Sequence, residues 1–233
     1  MIVAEMHWQQ IADYLQNNDL AVLPLGSTEQ HAYLSLATDT ILSSKVAADA
    51  AEPLGIPVFP TMPYGLTHYF LDYPGTVSLR VSTYLNVVED ILNSLEHAGF
   101  KRFVLVNGHG GNRPVEGLVQ EWLAAHRGRQ VKVHHWWQAP RVMTKVQEID
   151  AVASHASWME NFPWTRLAGV GQPDGQKPMT DLGLLKQQDP GAVRAQLAEG
   201  NFGGDFEKPD EVMLKLWQVA VSETRELLES SWA

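Results

Sequence analysis

Two short apolar runs constrain the fold of this chain more than any other feature: Leu20–Leu25 (LAVLPL) and Phe103–Val106 (FVLV). Neither alternates with polar residues. A strand without a polar face must be covered on both sides, which is the condition of a strand inside a parallel sheet. Each run stops at small or polar residues, Gly26-Ser27 after the first and Asn107-Gly108 after the second. The segments between them have helical spacing. Asp39–Glu52 places Ile41, Val46 and Ala50 on related faces, and Leu54-Gly55 stops it. Ser82–His97 carries Leu85, Val88, Ile91, Leu92 and Leu95 at three- and four-residue steps, with Ser82 expected as N-cap and Gly99 as terminator. Pro114–His126 and Pro209–Glu229 are expected as further helices. Ile56–Phe59, punctuated by Pro57 and Pro60, and Val131–Trp137 are expected as further strands. The alternation predicts an α/β domain with a mostly parallel sheet and helices on both faces. Residues 160–210 are rich in Gly, Pro, Asp and Gln and read as long loops with short elements, uncommon unless functional. No repeat or clean linker divides the chain, so residues 1–233 are expected to form one domain.

Composition excludes several classes of function. There is no cysteine, hence no disulfide framework, thiolate metal site or cysteine nucleophile. With 17 basic and 27 acidic side chains the formal charge is −10, a poor match to nucleic acid or an anionic membrane. No apolar stretch is long enough to span a bilayer. The opening MIVAEMHWQQIADYL carries Glu5 and no basic region, so it does not read as a signal peptide. A soluble, cytoplasmic protein is the expectation.

The stretches following the two apolar runs carry the chemistry. The first is Gly26-Ser27-Thr28-Glu29-Gln30-His31, continuing to Thr38-Asp39; the second is Asn107-Gly108-His109-Gly110-Gly111-Asn112. In open α/β sheets ligands gather beyond the carboxyl ends of the strands. Glu29 and His31, two apart, fall on one side of an extended segment. Asp39 returns at the mouth of the next helix, where a carboxylate suits the positive end. With His109 they make a set of imidazole and carboxylate donors acceptable to zinc, manganese or iron(II). Each piece has a plainer reading. Glu-x-His is commonly a solvated loop, a lone Asp commonly caps a helix, and Asn-Gly-His-Gly-Gly-Asn could be a turn or a phosphate cradle beside Arg113.

LPLGSTEQH…TDT followed by NGHGGN resembles the creatininase family of metal-dependent amidohydrolases, and YPGTVSL (Tyr73–Leu79) and His155–Glu160 (HASWME) extend the resemblance over most of the chain. The resemblance implies a three-layer α/β/α sandwich with a mostly parallel central sheet. It implies two divalent metal ions per chain, zinc first, with manganese or iron as alternatives. One ion would be held by Glu29, Asp39 and His109, the other by His31 and the bridging Asp39. It further implies a homo-oligomer, with a hexamer favoured. The activity it implies is hydrolysis of a C–N bond of a small linear or cyclic amide, a creatinine-like lactam or a formamide, through a metal-activated water. The small-molecule amide would be the partner. The alternatives are a metallopeptidase acting on a small or modified peptide and a non-catalytic member of the same fold.

Departures from the pattern shape the remaining expectations. Creatininase proper has Tyr-Glu after the second motif's His, and that Glu ligates a metal. This chain has Gly110 and Gly111 there. Glu160 is therefore expected as the replacement ligand, and creatinine is put in doubt as substrate. His155 and Glu160 are expected to be catalytic, His155 by passing a proton to the departing nitrogen. The substrate-binding set is expected to be Trp136, Trp137, Trp158, Tyr73 and Gly110, with Tyr69 as a further wall candidate. Strand alternation across Trp136-Trp137 would point only one of the two at the site.

Overall fold

The computed structural model describes residues 1–185 and 187–232. Its centre is a parallel sheet of β1 (Leu20–Leu25), β2 (Arg102–Asn107) and β3 (Gln130–His135), in that order. β2 pairs with both neighbours, Leu23 opposite Leu105 and Leu105 opposite Val133. The FVLV run thus occupies the fully covered position that its composition demanded.

Strand alternation sends the two sides of β1 and β2 into two separate cores. Leu20, Val22, Val104 and Val106 pack with α2 (Thr38–Ala51), α5 (Pro140–Ile149) and α8 (Asp210–Glu229). Ala21, Leu23, Leu25, Phe103 and Leu105 pack with α3 (Val81–Ala98) and α4 (Val115–Ala125). The result is an α/β/α sandwich. A short α1 (Trp8–Tyr14) precedes β1.

Four local expectations are corrected. Residues 56–59 do not form a regular strand. They run parallel to β1 through isolated bridges, Val22 to Val58 and Leu25 to Met62. Pro57, Pro60 and Pro63 lack amide donors, so the ladder cannot continue. Ser82 is not an N-cap: α3 begins one residue earlier, behind Arg80, and no side chain caps it. β3 ends at His135, and Trp136–Gln138 is a 3-10 turn, so strand alternation does not govern the two tryptophans. The helix α5 had no counterpart in the sequence reading.

The 160–210 region is loop-rich, as its composition indicated. It holds the two-residue ladder of β4 (Gln176–Lys177) with β5 (Gly204–Asp205), and the short helices α6 (Leu182–Leu185) and α7 (Pro190–Leu197). Leu185, Val193 and Leu197 close on Phe70 and Tyr73 in a third, small apolar cluster. Among the described residues no helix is long and apolar enough to cross a membrane.

Candidate active site

Close backbone crossings build the site. At Gly26, where β1 ends, a Cβ would lie 2.4 Å from Thr40 Oγ1 and 2.5 Å from its Cα. At Gly108, where β2 ends, it would lie 2.6 Å from the Asp39 carbonyl oxygen. Both strand exits therefore press against the first turn of α2, and only glycine allows it. Asp39, in that turn, is flanked by the two motif loops.

Asp39 is the hub. Its Oδ1 lies 3.0 Å from His31 Nε2, and its Oδ2 lies 2.9 Å from His109 Nδ1. Ser27 Oγ–H also donates to Oδ2 at 2.8 Å. Each histidine is oriented from behind. The His31 Nδ1–H donates to the Glu29 carbonyl at 3.1 Å, and the His109 Nε2–H donates to the Leu66 carbonyl at 3.0 Å. These carbonyl contacts assign the tautomers and leave the inward nitrogens as donors toward an ion. Glu29 Oε1 sits 3.3 Å from His109 Nδ1, and Glu160 Oε2 sits 3.8 Å from His31 Nε2.

These donors fit metal ions on the chemistry of the set. Glu29, Asp39 and His109 offer ligand atoms within 4.8 Å of one another, as do His31, Asp39 and Glu160. The two groups share Asp39, as a bridging carboxylate requires. Glu29 supplies a second observation: both its carboxylate oxygens are buried without a hydrogen-bond donor. A carboxylate left so is costly unless something positive satisfies it. A third group, Glu29, His31 and His155, is also close enough to share an ion.

Burial and mutual charge polarise the cluster. Burial lifts the Glu29 carboxyl above its ordinary range. Burial also opposes ionisation of Asp39, but the His31 charge overrides it and holds Asp39 well down. His31 is pulled down by burial and up more strongly by Asp39, reaching about 10. His109 is likewise held well above its usual value, with Glu29 the main counter-charge to burial. Burial pushes Glu160 up to about 7. His155 is held well below its usual value by burial and then by the His31 charge, so it stays uncharged.

Glu160 is aimed by a strained turn. Ala156 has φ +55°, and its amide donates to Glu160 Oε2 at 2.6 Å. His155 stacks on Phe70 with centroids 4.8 Å apart, and its Nδ1 lies 3.6 Å from Glu29 Oε1. Its Nε2 meets the Gln30 carbonyl at 3.2 Å and the Gln30 side-chain amide at 2.9 Å. The carbonyl accepts from a protonated Nε2; the amide donates to an unprotonated one. Gln30 thus satisfies either tautomer.

Gln30 is one residue the sequence reading missed. Its amide also donates to the Gly200 carbonyl at 3.0 Å, and a Cβ on Gly200 would lie 1.7 Å from Gln30 Oε1. No short-range pattern marks a contact across 170 residues. Asn107 and Asn112 are the others. Asn107 brackets His109, donating to its carbonyl at 2.7 Å and accepting from its amide at 3.1 Å. Asn112 ties the loop to Gly26 and Leu66. Their place in the glycine-rich motif was the available signal.

The cluster opens into a cavity of about 660 Å³. Glu29, Asp39, His109, His155 and Glu160 line it, with His31 behind them. Of the expected substrate-binding set, Trp137 and Gly110 are on its wall. Trp136, Trp158 and Tyr73 are not. Trp136 is in the core against Phe162 and Trp217. Trp158 is 0% exposed, its Nε1–H spent on the Val152 carbonyl. Tyr73 packs edge-on to Phe70 and donates to the Ala198 carbonyl at 3.3 Å. These three pack into the interior, Trp158 and Tyr73 with a backbone carbonyl for the polar atom and Trp136 through ring contacts alone. Tyr69 lines the cavity instead, and its hydroxyl has no hydrogen-bond partner among the described residues. Met143, Met159, Met179, Leu182 and Phe202 complete an apolar wall.

Comparison with known proteins identifies the family and the fold. The creatinine amidohydrolase family model matches residues 4–225. Creatinine amidohydrolase of Pseudomonas putida is 32% identical over 127 residues, 51% of this chain and 49% of that protein. The 3-dehydro-scyllo-inosose hydrolase of Thermotoga maritima is 31% identical over 146 residues, 61% and 47% of the two chains. The mycofactocin precursor peptide peptidase of Mycolicibacterium smegmatis is 35% identical over 147 residues, 58% and 54%. The matches thus span about half the length of these relatives. A crystal structure of creatinine amidohydrolase superposes with TM-score 0.78 at 23% identity, covering 97% of this chain and 96% of the other. A creatininase structure named for manganese gives 0.76 at 23% identity over 97% and 96% of the two chains. With the family model covering nearly the whole sequence, the chain belongs to the creatininase family, whose members named above are all hydrolases.

Proposed function

We propose that this protein is a metal-dependent hydrolase that cleaves a C–N bond other than a peptide bond in a small linear or cyclic amide. The observation that carries the reading is the buried Asp39 carboxylate between two histidines, each oriented by a backbone carbonyl, beside the unsatisfied Glu29 oxygens. Glu29, Asp39 and His109 would hold one divalent ion; His31, Asp39 and Glu160 would hold the other. Zinc is the first candidate for this nitrogen and oxygen donor set, with manganese or iron as alternatives. A bound ion pair supplies Lewis acidity toward the amide carbonyl and a water acidic enough to ionise near neutral pH.

The chain's own residues do the rest. The apolar wall and Trp137 exclude water and hold the flat body of the amide. The Tyr69 hydroxyl, free of a protein partner, donates toward the carbonyl oxygen as its charge grows. Neutral His155, its Nε2–H donating to the Gln30 carbonyl, takes the proton given up by the attacking water at Nδ1 and returns it to the departing nitrogen. Burial lifts the Glu160 carboxyl to about 7 in the ion-free chain, so it would give up a proton on binding an ion.

Gly111 cannot carry the glutamate that creatininase proper has there. A Cβ would lie 2.0 Å from the Leu66 carbonyl and 2.4 Å from His109 Nε2. That favours an amide other than creatinine. A peptidase acting on a small or modified peptide is the second reading, favoured by the 35% identity to the mycofactocin peptidase. We treat residues 1–233 as one cytoplasmic catalytic domain that assembles as a homo-oligomer, with a hexamer as the expected state.

Elemental analysis of the purified protein tests the metal pair. Two ions per chain are expected, and Asp39→Ala should lose both together with all activity. Retention of two ions in that variant rules out the bridging role. A panel of formamides, lactams, creatinine and short peptides, assayed on metal-loaded protein, then separates the substrate readings.

A further inference from the structure

One guanidinium faces the cavity, and the hydrolase reading gives it no task. Among the described lining residues Arg113 is the only lysine or arginine. It follows the Gly110-Gly111-Asn112 turn, where a Cβ on Gly110 would meet nothing within 4 Å and the Asn112 side chain is spent on Gly26 and Leu66. Its guanidinium is only loosely neutralised. Arg113 Nη1 is 3.8 Å from Glu116 Oε1, and that oxygen is already 2.6 Å from His135 Nε2. Arg113 Nη2 donates to Gln138 Oε1. Gln138 also lines the cavity, and with its carbonyl oxygen occupied its amide NH₂ is left as a donor. A guanidinium beside a carboxamide held in its donor sense offers N–H groups only. A planar oxyanion satisfies such a pair, and a carboxylate matches the guanidinium fork.

We infer that Arg113 and Gln138 form a carboxylate subsite, so that the substrate is an amide whose apolar body carries a carboxylate at the end away from the scissile bond. This rests on the hydrolase reading for the direction of the amide, which lies toward Glu29 and Asp39. Trp137, Met143, Met159 and Phe202 give the same cavity an apolar lining for the body of the ligand. The Arg113 side chain is 51% exposed, so solvent screens the contact and the preference is modest, about 3- to 10-fold in affinity.

Calorimetry on the zinc-loaded protein tests this with two probes of one shape, 4-carbamoylbenzoate and its neutral isostere terephthalamide. The carboxylate is expected to bind about 3- to 10-fold more tightly at low ionic strength, the gap narrowing as salt is added. Arg113→Gln should abolish the preference and Arg113→Lys should keep part of it. Equal binding by the wild type overturns the inference. So does a preference that survives in Arg113→Gln, since the carboxylate would then be held at the metal cluster. Turnover is read separately. A preference of this pattern with no amide in the panel cleaved keeps the subsite and removes the hydrolase reading; cleavage of neutral amides with no preference does the reverse.

Discussion

Three alanines outside the glycine-favoured rule mark where single residues are strained for the site. Ala32, Ala156 and Ala198 have φ of +50°, +55° and +54°. Ala32 follows His31, Ala156 follows His155, and the Ala198 carbonyl receives Tyr73. The left-handed conformation costs an L-residue about 1 kcal/mol, which glycine escapes. Ala198→Gly removes that cost but adds about 0.5–1 kcal/mol for glycine's greater entropy when unfolded, so Tm should rise by no more than about 2 °C; a thermal melt that falls instead would show that the methyl packs usefully. Tyr69→Phe removes only the free hydroxyl. It should lower kcat by about 10- to 100-fold with KM and metal content little changed, and an unaltered kcat takes Tyr69 out of the chemistry. The clustering of Glu29, His31, Asp39 and His109 was legible in the sequence because each stands just beyond an apolar run or at the helix it leads to. Glu160 needed the family resemblance. The tryptophans misled because composition says how apolar a residue is, not which of two apolar environments receives it.

Elements were legible where one physical cue dominated. β1 and β2 were announced by unbroken apolar runs, and α3 by its spacing and Gly99, which ends it with φ +117°. Failures came where cues conflicted. Residues 56–59 have strand composition but prolines at hydrogen-bonding positions, and α5 begins beside a tryptophan pair that reads as strand. The contact between β3 and α8 carries a pH dependence. His134, on β3, is 8% exposed and its Nε2–H donates to Thr224 Oγ1 on α8 at 3.0 Å. Burial, and then the His135 charge, pull His134 down to about 4. The unfolded chain takes up this proton near pH 6.5, the native state only near 4. Stability is therefore complete above about pH 6.5 and falls as the pH drops toward 4, by up to about 3 kcal/mol. Urea midpoints at pH 7.5 and pH 5 should show a larger acid loss in the wild type than in His134→Asn; equal losses would place the linkage elsewhere.

At the scale of the whole molecule, the metal-free protein holds its carboxylates with protons. His31, at about 10, and His109, well raised, are both cationic at pH 8 without ions. An ion must displace those protons, so zinc uptake should release up to about two protons per chain and its apparent affinity should rise from pH 6.5 to 8.5. Calorimetry in buffers of different ionisation enthalpy reads the release directly, and a pH-independent affinity would mean that these histidines are not ligands. Removing the ions should lower Tm, because only the folded chain assembles the donors.

The small third cluster has a consequence for how the molecule comes apart. Phe70, Tyr73, Leu185, Val193 and Leu197 fasten the 176–206 excursion, and the same excursion brings Met179, Leu182 and Phe202 to the cavity. The sheet is fastened by two far larger cores on its two faces. The excursion should therefore open as a unit of its own, at a lower free energy than the sandwich beneath it. Amide exchange should reach it first, and denaturant should abolish catalysis before it disturbs the parallel strands. Inactivation and unfolding are then two transitions: the molecule loses its roof while the ground floor still stands.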